Sequence, residues 1–249
     1  MGWQAFVVGV DMLEASCVSI IAIPSRMAEA EALRDKWLSV GVPSVHIFND
    51  SERRGVNWNS NCAWEWLSEQ ESEFSVFCTD DAEPCKDFEY AVERTVSALR
   101  AISGHWAVSY LNWTRFQTVA VERGCGWLVG DSLYDQCWLA PTRTVRKFVR
   151  EFVPNRIIKA EGSADYFARA FFKVSGIPVY SPVPAPFQHA EPSRSSLGNA
   201  NKTRICREFV TGSAFDIDWT KPISEAVRLP SFMSNKEVEK WFPLKDGAA

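Results

Sequence analysis

Apolar and polar positions in the first half of the chain switch repeatedly between short continuous apolar runs and helix-like spacing, and the switches predict a string of strands and helices. Residues 17–23, Cys-Val-Ser-Ile-Ile-Ala-Ile, form a β-rich apolar run that stops at Pro24-Ser25-Arg26. Residues 28–40, rich in Ala, Glu, Leu and Arg, predict a helix that ends at Gly41-Val42-Pro43. Residues 45–48, Val-His-Ile-Phe, predict a second strand, closing on Asn49-Asp50. Strand, helix and strand in so short a span make a βαβ unit, whose parallel strands point their carboxyl ends the same way.

Residues 57–70 predict the next helix, carrying Trp58, Trp64, Trp66 and Leu67. It leads into Phe74-Ser-Val-Phe-Cys-Thr-Asp-Asp-Ala-Glu-Pro-Cys85, where an apolar run is cut off by Asp80 and Asp81. Apolar residues at 74, 76, 77 and 78 suit a strand covered on both faces, and Pro84 limits its extension. Three strand ends, at Ser25-Arg26, Asn49-Asp50 and Asp80-Asp81, are therefore expected side by side.

Beyond this point residues 88–102 fit an amphipathic helix through Phe88, Ala91, Val92, Val96 and Leu99. Residues 106–111 and 118–121 read as strands, Gly124, Gly126 and Gly130 as turn residues, and residues 138–141 as the start of a change of direction. Residues 142–153 predict a helix with an apolar stripe of Val145, Phe148, Val149 and Phe152 and a basic side of Arg143, Arg146, Lys147 and Arg150. A further helix spans residues 163–174 and stops at Gly176, with Asp165 in its first turn. Prolines 178, 182, 184 and 186 then lead to Phe187-Gln188-His189, residues 191–201 read as a polar loop or lid, and residues 235–241 as a short final helix.

Length and composition narrow the class. With 249 residues and 46% hydrophobic content the chain can bury a large core, and a single α/β domain is expected. A net charge of -4 argues against a protein that coats nucleic acid over its whole surface. The 7 cysteines are scattered without a Cys-x-x-Cys pair, the usage of a reducing compartment. No apolar run approaches the ~20 residues that span a bilayer, so a cytoplasmic protein without membrane contact is expected. In such a compartment the sequons Asn112-Trp-Thr114 and Asn201-Lys-Thr203 are chance matches.

The candidate chemistry begins with Asp80-Asp81. An Asp pair ordinarily caps a turn, but at the carboxyl end of a buried strand in a βαβαβ run it lies where open α/β sheets bind ligands, and a divalent cation would offset the charge. His189 completes an oxygen-rich shell for Mn²⁺ if its loop folds back over the carboxylates, with the Ser195-Ser196-Leu197-Gly198 turn then facing a diphosphate. Glu161 and Asp165 are the candidates for a general base, Asp165 preferred. Of the 11 tryptophans most belong to the core, while Trp58, Trp127 and Trp138 fall near turns and could stack on a sugar or base. Arg143 to Arg150, and Arg194, Lys202, Arg204 and Arg207, are two basic clusters that read either as solvated faces or as phosphate-contacting surfaces. The dinucleotide and P-loop fingerprints are both absent from the sequence.

Taken in order, the Ile-Ala-Ile-Pro-Ser-Arg26 strand end, Asn49-Asp50, Thr79-Asp80-Asp81 with Asp-Asp-Ala-x-Pro-Cys-x-Asp-Phe following its strand, and Gln188-His189 with Ser195-Ser-Leu-Gly198 resemble a GT-A-fold glycosyltransferase, nearest to phage-encoded, DNA-modifying members. The resemblance spans residues 18–198. It implies a Rossmann-like mixed sheet flanked by helices, with residues 17–125 binding a nucleotide-sugar, residues 126–200 serving the acceptor and catalysis, and residues 201–249 a C-terminal extension. It implies that Pro24, Ser25, Arg26 and Asp50 line the base and ribose pocket of a donor, most simply a UDP-sugar. Asp80 would approach the ribose or metal, Asp81 and His189 would hold Mn²⁺ or Mg²⁺ on the diphosphate, Ser195, Ser196 and Gly198 would bind beside it, and Asp165 would be the base of an inverting transfer. The family's motif is often Asp-x-Asp, whereas Ala82 and Glu83 follow the pair here. The acceptor implied is a hydroxymethylated pyrimidine in DNA, contacted by Arg143, Arg146, Lys147 and Arg150. A protein or glycan acceptor, a sugar-nucleotide nucleotidyltransferase and a non-catalytic nucleotide- or DNA-binding module are the competing readings.

Overall fold

The computed structural model of the chain describes residues 12–102, 104–112, 114–131, 136–158, 164–190, 208–245 and 247. Its strands are β1 (Ser16–Ala22), β2 (Ser44–Asn49), β3 (Phe74–Thr79), β4 (Ala82–Pro84), β5 (Ala107–Ser109), β6 (Trp127–Gly130), β7 (Cys137–Pro141), β8 (Val179–Pro182), β9 (Phe187–His189) and β10 (Val227–Arg228). Its α-helices are α1 (Met27–Ser39), α2 (Val56–Glu69), α3 (Phe88–Leu99), α4 (Thr114–Glu122), α5 (Thr142–Lys147), α6 (Ala164–Ser175) and α7 (Asn235–Trp241).

An 8-stranded mixed sheet in the order β10-β6-β8-β5-β7-β3-β1-β2 divides the molecule, and helices cover both faces, an architecture compatible with a Rossmann-like fold. β1 pairs in parallel with β2 and β3, while β7 runs antiparallel to both β3 and β5. β8 is parallel to β5, so β1, β2, β3, β5 and β8 all point their carboxyl ends to one edge. β7 starts at that edge.

The period-two alternation of strand side chains sorts residues between the two faces. Val18, Ile20 and Ala22 of β1, with Phe74, Val76 and Cys78 of β3, pack with Leu33 and Trp37 of α1 and Val92 and Val96 of α3. Cys17, Ile21 and Phe77 face the other way, onto Trp64 and Leu67 of α2, Phe148, and Phe167 and Phe171 of α6. The sheet is buried on both sides, which is why β1 reads as a continuous apolar run.

The predicted elements through residue 102 are present within a few residues. Residues 118–121 are a correction: they lie in the helix α4, with Ala120 and Leu128 sharing a small core. Four residues are too few to separate a period of two from one of 3.6. Residues 138–141 are likewise part of a full strand, β7, at the centre of the sheet, and Trp127 to Gly130 form β6. Gly124 does end α4, with φ +68, where a β-carbon would be strained.

The helix expected over residues 142–153 begins as α5 and continues as a π-helical turn, Phe148–Phe152, which widens the helix as Phe148 and Phe152 stack among Phe167 and Phe171. The C-terminal helix α7 docks on α6 and contributes Val238 and Phe242 to the same core. The buried Arg156 guanidinium donates 2.9 Å to the Phe242 carbonyl and 3.0 Å to Glu239. Ile157 N–H donates to Pro243 O and Lys245 N–H to Asn155 O, so this segment is strapped down by backbone bonds on both sides of the arginine.

Cys17, Cys62, Cys78, Cys85, Cys125 and Cys137 are free thiols. Among the described residues no helix is long and apolar enough to cross a membrane.

Candidate functional site at the carboxyl edge of the sheet

Backbone bonds hold the three expected strand ends together. Asp50 N–H donates 3.0 Å to Ala22 O, Asp80 N–H donates 2.9 Å to Ile21 O, and Thr79 N–H donates 2.9 Å to Gln136 O at the start of β7. This edge therefore collects Pro24, Ser25 and Arg26, then Asp50, then Asp80 and Asp81. Pro24 and Ser25 are exposed there, on a 3₁₀ turn that joins β1 to α1.

The two acids are differently engaged. Asp80 accepts from the Ile23 N–H at Oδ2, 3.0 Å, and from Arg26 Nη1 at Oδ1, 3.1 Å. Asp81 accepts from Thr79 Oγ1 at Oδ1, 2.6 Å, and from the same Arg26 nitrogen at Oδ2, 3.2 Å. Only 8% of Asp80 and 6% of Asp81 is exposed. Burial pushes the Asp80 carboxyl above its ordinary 3.8, and the neighbouring Asp81 adds to this, while the Ile23 N–H and Arg26 oppose it.

His189 arrives from a distant part of the chain. β4 and β9 form a separate two-stranded antiparallel ladder in which Ala82 is opposite His189, and Ala190 N–H donates 2.9 Å to Asp81 O. The strand that carries His189 thus returns to the acid pair, while the loop that follows it, from residue 191, lies outside the described residues. His189 Nδ1 lies 3.3 Å from Asp81 Oδ2 and is a buried nitrogen with no hydrogen bond. The imidazole nitrogen and the carboxylate oxygen thus face each other at close range, with Arg26 Nη1 on the same oxygen.

Among the described residues no group of three or more His, Cys, Asp or Glu side chains gathers as a metal cage. The donor set that is present, one imidazole nitrogen and one carboxylate oxygen, still fits a Mn²⁺ or Mg²⁺ ion that takes its remaining ligands from a diphosphate and water, the usual manner of such ions at phosphate sites. The orphaned Nδ1 is the observation that supports the fit.

Asp50 is placed at the edge as expected, but both its oxygens are occupied by backbone. Oδ1 accepts from Arg54 N–H at 2.7 Å and Oδ2 from Gly55 N–H at 2.8 Å. It shapes the loop between β2 and α2, which also needs left-handed backbone at Arg53 and Gly55. Trp58, 37% exposed, follows it in the first turn of α2, with the Arg54 guanidinium 4.6 Å from its ring centre. Trp127 and Trp138 are core residues instead, packed on Trp219 and Phe77.

Asn59 is a residue the sequence reading passed over. Its Nδ2 donates 3.1 Å to Ala22 O and 2.9 Å to Phe48 O, tying the ends of β1 and β2 beneath the site. The available signal was its position one and two helical repeats of four before Ala63 and Leu67, an amide on an apolar stripe.

The basic helix is not brought to this edge. β7 ends at the opposite one, where Pro141 pairs with Phe74, and α5 starts there. Arg143 donates 2.7 Å to Gly104 O, and Arg146 donates to Ser68 O at 2.9 Å and to Gln70 O, closing off the end of α2. Lys147 pairs with Glu151 in the next turn, and Arg150 is exposed. Arg146 is thus held to the protein's own carbonyls. Its attraction is to the negative end of a helix.

Asp165 occupies the first turn of α6, as expected, but its side chain lies outside the described residues. Glu161, Ser195, Ser196, Gly198 and the cluster from Arg194 to Arg207 also lie outside them. No protein-family model matches the chain, and no curated protein matches its sequence.

Proposed function

We propose that the protein is a glycosyltransferase of GT-A type, which moves a sugar from a nucleotide-sugar donor, most simply a UDP-sugar, to a hydroxyl acceptor. The observation that carries the reading is the meeting of His189 with Asp81 at the edge where β1, β2 and β3 end. Three parallel strand ends offer exposed turn backbone for a base and ribose at Pro24 and Ser25, and the acid pair lies directly alongside. Asp81 Oδ2 and His189 Nδ1 would hold a divalent ion, which when bound supplies Lewis-acid stabilisation of the leaving diphosphate. Asp80 keeps the β1 turn in position through Ile23 N–H and orients Arg26 for the donor's phosphates. Asp165, at the start of α6, would take the proton from the attacking hydroxyl in a single inverting displacement.

A hydroxymethylated pyrimidine in DNA is the first acceptor to test, and support for it comes from the resemblance to phage-encoded members. Arg143 and Arg146 lend it none, because they serve the opposite edge of the sheet. A base in a duplex would have to be turned out of the stack to reach the acids.

The test is incubation with Mn²⁺ and a panel of UDP- and GDP-sugars, with hydroxymethylated DNA, protein or glycan acceptors, following release of nucleoside diphosphate. Turnover that falls away in Asp81→Ala is expected. Absence of turnover and of donor hydrolysis throughout the panel, with nucleotide binding unchanged in Asp81→Ala, would overturn the enzyme reading. Turnover with a non-DNA acceptor alone would overturn only the acceptor.

A further inference from the structure

We infer that Cys78 and Cys137 are a latent cross-strand dithiol, closed to a disulfide when the chain folds in the presence of a disulfide oxidant and shielded from reductants once the sheet is complete. The inference does not depend on the glycosyltransferase reading.

The two residues stand opposite each other in the antiparallel ladder of β3 and β7 at the centre of the sheet. Their sulfurs are 3.4 Å apart. Thr79 N–H donates to Gln136 O one step along this ladder, and Tyr110 N–H donates to the Cys137 carbonyl on the other side of β7. Cys78 and Cys137 are therefore a non-hydrogen-bonded pair, the kind whose side chains come closest, with Cα atoms about 4.5 Å apart. Disulfides span Cα separations of about 4.4–6.8 Å, so closure asks for little movement of either strand. Cys17 lacks this geometry: it is turned to the opposite face of the sheet, where its partners are Ser72 and the Phe74 carbonyl.

Both sulfurs are fully buried, in the core that holds Val76, Leu139, Tyr110 and Phe187. Burial first, and then the neighbouring Cys78, pushes the Cys137 thiol well above its ordinary 9.0, so its thiolate does not form readily in the finished fold. A bulky oxidant does not reach the pair there either. Exchange therefore belongs to the chain before this core is covered.

In that open chain one cysteine thiolate attacks glutathione disulfide, giving a mixed disulfide and releasing one glutathione thiolate. The second cysteine attacks the protein sulfur of the mixed disulfide and releases the other. Two protein thiols are oxidised, one external disulfide is reduced, and the two protein protons pass to the glutathione thiolates. Pairing of β3 with β7 brings the second thiol to the first, which favours this closure over other pairings. Burial then protects the bond as it protected the thiols.

The bond closes the long loop from 78 to 137, which stabilises the fold by restricting the unfolded chain. It also staples the two strands beneath the acid pair, because Thr79 donates both to Gln136 O and to Asp81.

The experiment refolds reduced, urea-unfolded protein in glutathione buffers of graded thiol-to-disulfide ratio, quenches with acid, alkylates the free thiols and maps unreduced peptides by mass spectrometry. Expected is a linked peptide containing Cys78 and Cys137 that exceeds every other cysteine pairing at least ~10-fold. The oxidised protein should unfold at higher urea than the reduced one, and dithiothreitol should open its bond at least ~10-fold more slowly in the native state than in urea. Scrambled pairings, or glutathione adducts elsewhere with both of these thiols free, overturn the inference. So do a urea midpoint lowered by oxidation and a bond that dithiothreitol opens equally fast in both states. Should refolding yield no soluble protein, the chain is made in a cell-free extract set to the same glutathione ratios and mapped in the same way; absence of the linked peptide there overturns the inference as well.

Discussion

The Nδ1 of His189 lies 3.3 Å from Oδ2 of Asp81, two groups far apart along the chain that approach without forming a hydrogen bond. If they share a cation, His189→Ala should lower Mn²⁺-dependent release of nucleoside diphosphate by about 100-fold or more, the scale seen when a group stabilising transition-state charge is lost. Asp81→Asn should do the same. Retention of full turnover in either variant, measured with saturating donor, would remove the pair from the site.

Asn59 joins the carbonyls of Ala22 and Phe48. Asn59→Ala loses both bonds, although the Ala22 carbonyl keeps the Asp50 N–H, for an expected loss of about 1–2 kcal/mol in urea denaturation. Asn59→Asp should be worse, because the replacement turns acceptors toward acceptors.

Arg156 and Glu239 form an ion pair of unequal partners, 7% and 58% exposed. Replacing the exposed acid, Glu239→Gln, should cost under about 1 kcal/mol. Arg156→Met also removes the donor to the Phe242 carbonyl and should cost about 2–3 kcal/mol by the same measurement. Equal effects would mean the strap is held by α7 packing alone.

The raised Asp80 carboxyl carries a pH signature. Its folded value lies above its unfolded one, so the protonated form is favoured by folding. That contribution is complete below the ordinary value of 3.8 and is lost as pH rises through the raised folded value. Measured against Asp80→Asn, which does not titrate, wild-type stability should therefore fall between acid and neutral pH. A gap that stays constant or changes the other way over that window would contradict the burial of an ionisable Asp80.

The Cys85 thiol is pushed up to about 11, by burial first and then by the carboxylates of Asp87, Glu89 and Asp216. Thiol alkylation runs through the thiolate, so at pH 8 Cys85 should react on the order of 100-fold more slowly than an ordinary exposed thiol. Peptide mapping after iodoacetamide should find the half-buried Cys125 labelled well before it.

The acid pair and its neighbouring strand ends were legible because each strand is buried on both faces and stops at polar residues, so pattern and boundary agree. The central strand β7 was not, although all five of its residues are buried. Cys137 to Pro141 is short, contains a proline and leads directly into a helix, which reads locally as a turn. Residues 118–121 show the converse, since Thr118-Val-Ala-Val121 mimics a strand when cut from the helix around it. Asp50 was located correctly, yet its partners are backbone N–H groups four and five residues on, a detail residue type does not carry. Arg146 was read as part of a charged face because composition cannot see that α2 ends beneath it, at Ser68 and Gln70. The return of His189 to Asp81 depends on a ladder of three residue pairs, too short for periodicity to announce.

That ladder, β4 with β9, is fastened through main-chain atoms: Ala190 N–H to Asp81 O and Cys85 N–H to Pro186 O, both 2.9 Å. The side chains of Asp81 and His189 hang from it, and that of Asp81 bonds to Thr79 and Arg26. Replacing them should therefore leave a folded scaffold of unchanged outline, in which chemistry can be deleted, or other donors installed, one position at a time.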